Sequence, residues 1–214
     1  MASDSLSAMD AANSAARVDT NVYISGYLIA ADPDFIRRNG INRIVKLIAD
    51  DSSYHGGYHR HPDVKYLVIA ADDTPSYDIR AGADSALRFI QEGIANNERI
   101  LVHCHAGISR SATVVLLHLM INRGYTLEFA FMRLRMARPF VNPNPGFMRH
   151  LLATDARIKS LRVADEHLDN ERNNSNDRFV APPPVLAGGD AAAARRAATA
   201  LRVGAANTAS QLKK

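Results

Sequence analysis

The chain has 214 residues, 47% hydrophobic and 22% charged, the composition of a soluble globular protein with material for one ordinary core. No apolar run reaches membrane-span length, the first residues (acids Asp4 and Asp10, only Arg17 basic) lack a leader pattern, and Ala2 excludes N-myristoylation, so no membrane association or secretion is expected. The net charge of +4 arises wholly in residues 171–214, where seven Lys/Arg face three Asp/Glu; without a patterned basic face carrying aromatics, a nucleic-acid partner is not expected.

Residues 1–17 are rich in Ala, Ser and Asp and form an N-terminal extension with too little apolar bulk to fold alone. A helix there docking on a second copy would give a homodimer. Residues 18–165 carry the periodic patterns of a single domain. Residues 166–214 are expected to be a disordered tail, the composition turning at Asn170 to Asn, Pro, Gly and Ala with Pro182-Pro183-Pro184 and Gly188-Gly189.

Within the domain, residues 21–25 read as a short strand. Asp32 caps a helix with Pro33 at its first position, ended by Gly40. Residues 41–49 and 64–70 are apolar strands separated by a Gly- and His-containing loop. Ile79, Ala83, Leu87, Ile90 and Ile94 share one face of a helix over residues 79–96. A third buried strand, residues 99–103, ends at Cys104. Three helices follow: residues 111–123 stopped by Gly124, one capped by Thr126 and running to about Arg138, and one from Asn144-Pro145 to about Ser160. Strands alternating with helices early and helices clustering late indicate an α/β domain with a mostly parallel sheet.

Cys104 is the only cysteine, which excludes an intramolecular disulfide and fits a reducing, cytoplasmic or nuclear, setting. It closes a buried strand, where ligands bind in open α/β sheets, and Cys104 to Arg110 leads onto a helix N-terminus. Backbone N–H groups of such a loop converge into an anion nest, and the helix dipole reinforces it and favours a thiolate. Gly107 permits a turn that other residues resist. Arg110 can grip two phosphate oxygens bidentately. Cysteine, glycine and arginine at this spacing across a strand–helix junction suit phosphoryl transfer to sulfur, with Cys104 the in-line nucleophile, a phosphocysteine product, and no metal or cofactor required.

The string His103-Cys104-x-x-Gly107-x-x-Arg110-Ser111 resembles the signature of cysteine-based protein phosphatases, and Ala106-Gly107-Ile108-Ser109-Arg110-Ser111-Ala112-Thr113 resembles its dual-specificity branch. The likeness extends to Asn21-Val22-Tyr23-Ile24-Ser25-Gly26 and to Arg138-Pro139-x-x-Asn142-Pro143-Asn144-Pro145-Gly146-Phe147, covering residues 18 to about 158. It implies the cysteine-phosphatase fold, a central mixed sheet of four to five strands flanked by helices, and the small, atypical type, with no room for a kinase-docking domain. A departure is His118, where the family often has a tyrosine before Leu-Met.

The leaving oxygen needs a proton, so a carboxylic acid must reach the loop, and Asp72 and Asp73 lie in a turn at the same sheet edge. The resemblance places the acid on Asp73, 31 residues before Cys104 and five before Asp78, with Asp72 as the alternative. It also implies that Ser111 hydrogen-bonds the departing thiolate; helix N-capping is its other role. His105, Ala106, Gly107, Ile108, Ser109 and Arg110 are the expected substrate-binding positions; His103 is expected to orient the loop or to be a plain buried histidine, and Asn144 to cap the last helix or, as the resemblance implies, to support the loop. Arg133, Arg135, Arg138 and Arg149 read more simply as a solvated helix face than as a grip for acidic substrate flanks. His55, His59 and His61 lack a cysteine partner and read as a loop rather than a metal site.

His105, Ala106 and Ile108 bring no lysine into the loop, where phosphoinositide phosphatases of the superfamily carry them. The expected substrates are therefore phosphorylated proteins; that they are dephosphorylated at both phosphotyrosine and phosphoserine/threonine, with signalling kinases among them, is what the resemblance implies. RNA 5′ ends or phosphoinositides are the alternative for the same chemistry, and a phosphoprotein-binding scaffold is the alternative of another class.

Overall fold

The computed structural model describes residues 14–48 and 61–175. Five strands, β1 (Ala15–Arg17), β2 (Val22–Ser25), β3 (Ile41–Leu47), β4 (Lys65–Ile69) and β5 (Arg99–His103), form one sheet in the order β1-β2-β5-β3-β4. β1 is antiparallel to β2 and every other pair is parallel, so the sheet is mixed and mostly parallel, as expected. Among the described residues six helices accompany it: α1 (Tyr27–Ala30), α2 (Pro33–Arg38), α3 (Arg80–Ala95), α4 (Arg110–Arg123), α5 (Leu127–Ala137) and α6 (Pro145–Ser175).

A sheet covered on both faces needs strands that are apolar at successive positions. In β5, Ile100 and Val102 enter the large core beneath α3 to α6, while Leu101 turns to the opposite face. There it meets Tyr23, Ala30, Ile36, Ile41 and Ile44 beneath α1 and α2. β2 alternates in step, Val22 and Ile24 on one face and Tyr23 on the other. α4 has residues 111–120 all buried and packs against α3, α5, α6, β2 and β5, the position a helix without a polar face must occupy. With β5 central in the sheet and α4 central among the helices, the segment joining them is held at the carboxyl edge of the sheet.

Most element boundaries fall within a residue or two of those read from the sequence. The Asp32 cap is formed, its Oδ1 accepting from the Asp34 N–H at 2.9 Å. β1 was not expected. Ala15-Ala16-Arg17 has no apolar bulk and becomes a strand because the edge of β2 pairs it, Ala15 with Ser25, Ala16 with Ile24 and Arg17 with Tyr23. Residues 15–17 therefore extend the chain's own sheet rather than a docking helix; residues 1–13 of the expected extension lie outside the described residues. α6 runs past its expected end near Ser160 to Ser175, so residues 166–175 of the expected tail are helical and residues 176–214 lie outside the described residues. Leu161 still packs against the core, and no Gly or Pro interrupts the chain between Phe147 and Ala181.

A polar chain bolts α3 and α4 to the turn between β1 and β2. Gln91 Nε2 donates to Asn122 Oδ1 at 2.5 Å, Asn122 Nδ2 donates to His118 Nδ1 at 2.9 Å, and His118 Nε2 donates to Asp19 Oδ2 at 3.0 Å. The Asn122 donor assigns the proton of His118 to Nε2. Arg123 Nε adds a 2.6 Å bond to the same Asp19 oxygen. Burial pushes His118 below the ordinary histidine range despite the pull of Asp19. Asp19 moves down as well: burial alone would raise it, but His118, Arg123 and the Thr20 N–H outweigh that. The residue that stands where the resemblance expects a tyrosine is thus part of this network.

Candidate active site

Cys104 follows the last residue of β5, is 1% exposed, and lies inside the turn that enters α4. Its Sγ accepts from the Gly107 N–H at 3.3 Å and lies 3.2 Å from Ser111 Oγ. The polarity of the loop is the central observation. If its N–H groups face inward, its carbonyls must face outward and find donors there. They do. His105 O accepts from the Tyr27 N–H at 2.8 Å and Ile108 O from the Asn142 N–H at 2.9 Å. Ala106 O and Gly107 O accept from Nη2 and Nε of Arg138 at 2.8 and 2.7 Å. Cys104 O lies 3.3 Å from His103 Nδ1, and Ser109 O accepts from both the N–H and Oγ1 of Thr113. Gly107 itself has φ +70°, and a Cβ there would stand 2.5 Å from Ser25 O, so only glycine fits between the loop and β2.

Arg110, the first residue of α4, reaches across the loop mouth to donate Nη1 to Ala71 O at 3.0 Å. Its Nε lies 3.5 Å from Asp73 Oδ2, an ion-pair separation too long for a hydrogen bond, and that N–H is buried without one. A buried guanidinium N–H lacking an acceptor beside an amide-lined loop is a place for an oxyanion.

Asp73, in the turn after β4, is brought to this loop. Its Oδ1 accepts from Ser109 Oγ at 2.5 Å and from Asn144 Nδ2 at 2.8 Å. Asp72 is exposed. Asn144 serves two ends at once, because its Oδ1 also accepts from the N–H groups of Gly146 and Phe147 at 2.9 and 3.0 Å, capping α6. Gly146 lets α6 start against the same turn; a Cβ there would be 2.1 Å from Pro75 O. The turn that carries Asp73 is thereby seated on the start of α6.

Several expectations change. Ser111 is not the N-cap of α4: Ser109 occupies that position, without a side-chain capping bond, and spends its hydroxyl on Asp73. Ser111, one residue inside the helix, is fully buried and faces Cys104. His103 is also fully buried, at hydrogen-bond distance from the Cys104 carbonyl. Within the loop His105 is exposed and Ala106 and Ile108 are partly buried. Arg138 departs most: it is 1% exposed and belongs to no solvated helix face, because two loop carbonyls, the Ser14 backbone and the Phe140 ring surround its guanidinium. Burial pushes Arg138 down to about 10, partly offset by the nearby Cys104. Arg133, Arg135 and Arg149 are exposed, as expected. Of the histidine group, His55 and His59 lie outside the described residues.

The sequence profile "Dual specificity phosphatase, catalytic domain" matches residues 22–157. Among curated proteins, "Dual specificity protein phosphatase 26" of Bos taurus is 35% identical over 152 residues, covering 70% of this chain and 71% of that protein. "Dual specificity protein phosphatase 15" of Rattus norvegicus is 34% identical over 144 residues, covering 65% of this chain; the chain spans only 56% of that relative. The crystal structure of human DUSP28 superposes with a TM-score of 0.62 at 26% identity, covering 68% of this chain and 95% of that one. The matched segment holds the whole constellation around Cys104, from β2 to the middle of α6, and on that ground the chain belongs to the dual specificity phosphatase family.

Proposed function

We propose that this protein hydrolyses phosphate monoesters on tyrosine and on serine or threonine of phosphorylated proteins, through a phosphocysteine intermediate on Cys104. The observation that carries the reading is the loop itself: the Cys104 sulfur accepts from the Gly107 N–H inside a loop whose carbonyls are tied outward, and the Arg110 Nε–H is buried without a hydrogen-bond acceptor. Phosphate oxygens on these donors would draw Arg110 from Ala71 O and Asp73 onto the ester. The Cys104 thiolate attacks phosphorus in line, the P–O ester bond breaks, and the leaving oxygen takes the proton of Asp73. In the second step water attacks phosphorus, Asp73 accepts its proton, the S–P bond breaks, and the thiolate departs while accepting from Ser111 Oγ. Inorganic phosphate is released.

The family relationship supports phosphoproteins as substrates, and the absence of lysine at His105, Ala106 and Ile108 supports them over inositol lipids. The lone cysteine supports cytoplasmic and nuclear placement. The test is a panel of phosphotyrosine and phosphoserine/threonine peptides against phosphoinositides and triphosphate-ended RNA, with acid-quenched trapping of labelled phosphate on protein. Turnover of peptides and label that vanishes in Cys104→Ser are expected, with turnover lost by about 10³-fold or more. Wild-type turnover by that variant, or preference for the lipid or RNA arm, would overturn the assignment.

A further inference from the structure

We propose that the N-terminal strand β1 and Ser14 before it are a working part of the phosphate site, acting through Arg138 as a positioning residue. The inference rests on the reading of the Cys104 loop as an oxyanion site. An amide-lined loop binds an anion only while its peptide units keep one orientation. The Ala106–Gly107 and Gly107–Ile108 peptides are consecutive, and the carbonyls of both are held by one side chain rather than by backbone. Turning either peptide over would place a carbonyl oxygen where a phosphate oxygen has to sit. Arg138 prevents this with two bonds of 2.8 and 2.7 Å from one rigid fork.

The fork is itself held from the far side. Arg138 Nη1 donates to Ser14 O at 3.0 Å and lies 3.2 Å from Ser14 Oγ, while the Phe140 ring lies 4.5 Å from its guanidinium carbon. Ser14 directly precedes β1, whose place is set by pairing with β2 and by Ala16 against the large core. The line of contact runs β2 to β1 to Ser14 to Arg138 to the loop, joining residues 124 positions apart in the chain. Detaching β1 removes one wall of the guanidinium and lets the fork turn away, without touching Cys104, Arg110 or Asp73.

The test uses the full chain and reads the loop without turnover, by iodoacetamide alkylation of Cys104 and its protection by inorganic phosphate. Ala16→Asp puts a carboxylate on the core-facing position of an edge strand and frees β1. Arg138→Lys keeps the charge and loses the fork. In both, half-protection is expected to need about tenfold more phosphate, the loss of one charge-assisted hydrogen bond. The pH profile of alkylation should also move upward. If the wild type hydrolyses phosphopeptides, kcat should fall about 10²-fold with KM moved much less. Ser14→Ala, a mild change at a partly buried position, carries the test should either other variant fail to fold; it is expected to need about threefold more phosphate, because the Ser14 carbonyl remains. Folded variants with wild-type phosphate protection and alkylation profile overturn the proposal. A wild-type chain protected by phosphate yet inactive on every ester would refute the enzyme reading and leave this one standing.

Discussion

Asn144 offers a substitution in which capping and acid-holding separate. Its Nδ2 donates to Asp73 Oδ1 at 2.8 Å, while its Oδ1 caps α6. Asn144→Asp is isosteric and keeps the capping oxygen, but it replaces the donor with a second carboxylate oxygen. Two like charges at this spacing repel by about 1.5 kcal/mol in water-like surroundings, and the low figure applies because the Asp73 side chain is 33% exposed. The lost charge-assisted hydrogen bond adds about 1.5 kcal/mol. The sum, about 3 kcal/mol, opposes ionisation of both carboxylates and corresponds to about two pH units over which the pair keeps one shared proton. The assay is kcat against pH on a phosphotyrosine peptide, whose leaving oxygen needs a proton, beside p-nitrophenyl phosphate, whose leaving group needs it far less. The descending limb should move up by about one to two pH units on the peptide and scarcely on the aryl ester. Melting at neutral pH should fall by about 6 to 12 °C, because the same 3 kcal/mol weakens the folded state. A peptide profile identical to wild type would refute the placing of the acid at Asp73 and of its hold in Asn144.

Two further outcomes follow from the fold. His118 is buried with its affinity for protons lowered, so its contribution to stability is complete above pH about 6.5 and is lost as pH falls toward its folded value, at up to about 1.4 kcal/mol per unit; Asp19, also lowered, adds its loss only below about pH 4. Urea midpoints should fall between pH 7 and 5 and fall less in His118→Gln; a flat or rising wild-type trend counts against the network. Because Cys104 has no second cysteine to form a disulfide, peroxide should inactivate the enzyme until an external thiol is added. Prompt recovery after catalase alone would point to an internal protective reaction.

The nucleophile loop was legible because its information is local: strand, Cys104, Gly107 and Arg110 are consecutive, and the junction they span dictates their geometry. α3 was legible for the same reason, Ala83, Leu87 and Ile90 repeating at helical spacing. Asp73 needed the family likeness, since two adjacent aspartates in a turn are equivalent until Ser109 and Asn144 choose between them. Arg138 is not legible as a buried residue because its neighbours Arg133 and Arg135 are solvated, and what buries it comes from Gly107 and Ser14, distant in the chain. β1 was missed for a related reason: Ala15-Ala16-Arg17 has no strand character of its own and takes it from β2. The length of α6 is not legible because residues 165–175 hold a single bulky apolar residue, Leu168, and so offer no periodicity to read.

The outward carbonyls of the Cys104 loop bear on rate as well as on binding. Water can stabilise a developing charge only by turning its own dipoles during the reaction, and that reorganisation is part of the barrier in solution. Here the corresponding dipoles are aligned when the chain folds, each fixed from behind by Tyr27, Arg138, Asn142, Thr113 or the His103 ring. The cost of ordering them is therefore met by β-sheet pairing and core burial far from the sulfur, and it does not recur at each turnover. The same alignment makes the loop a charge filter, closed to cations by the sign of its field and open to small oxyanions before any contact with the rest of a substrate.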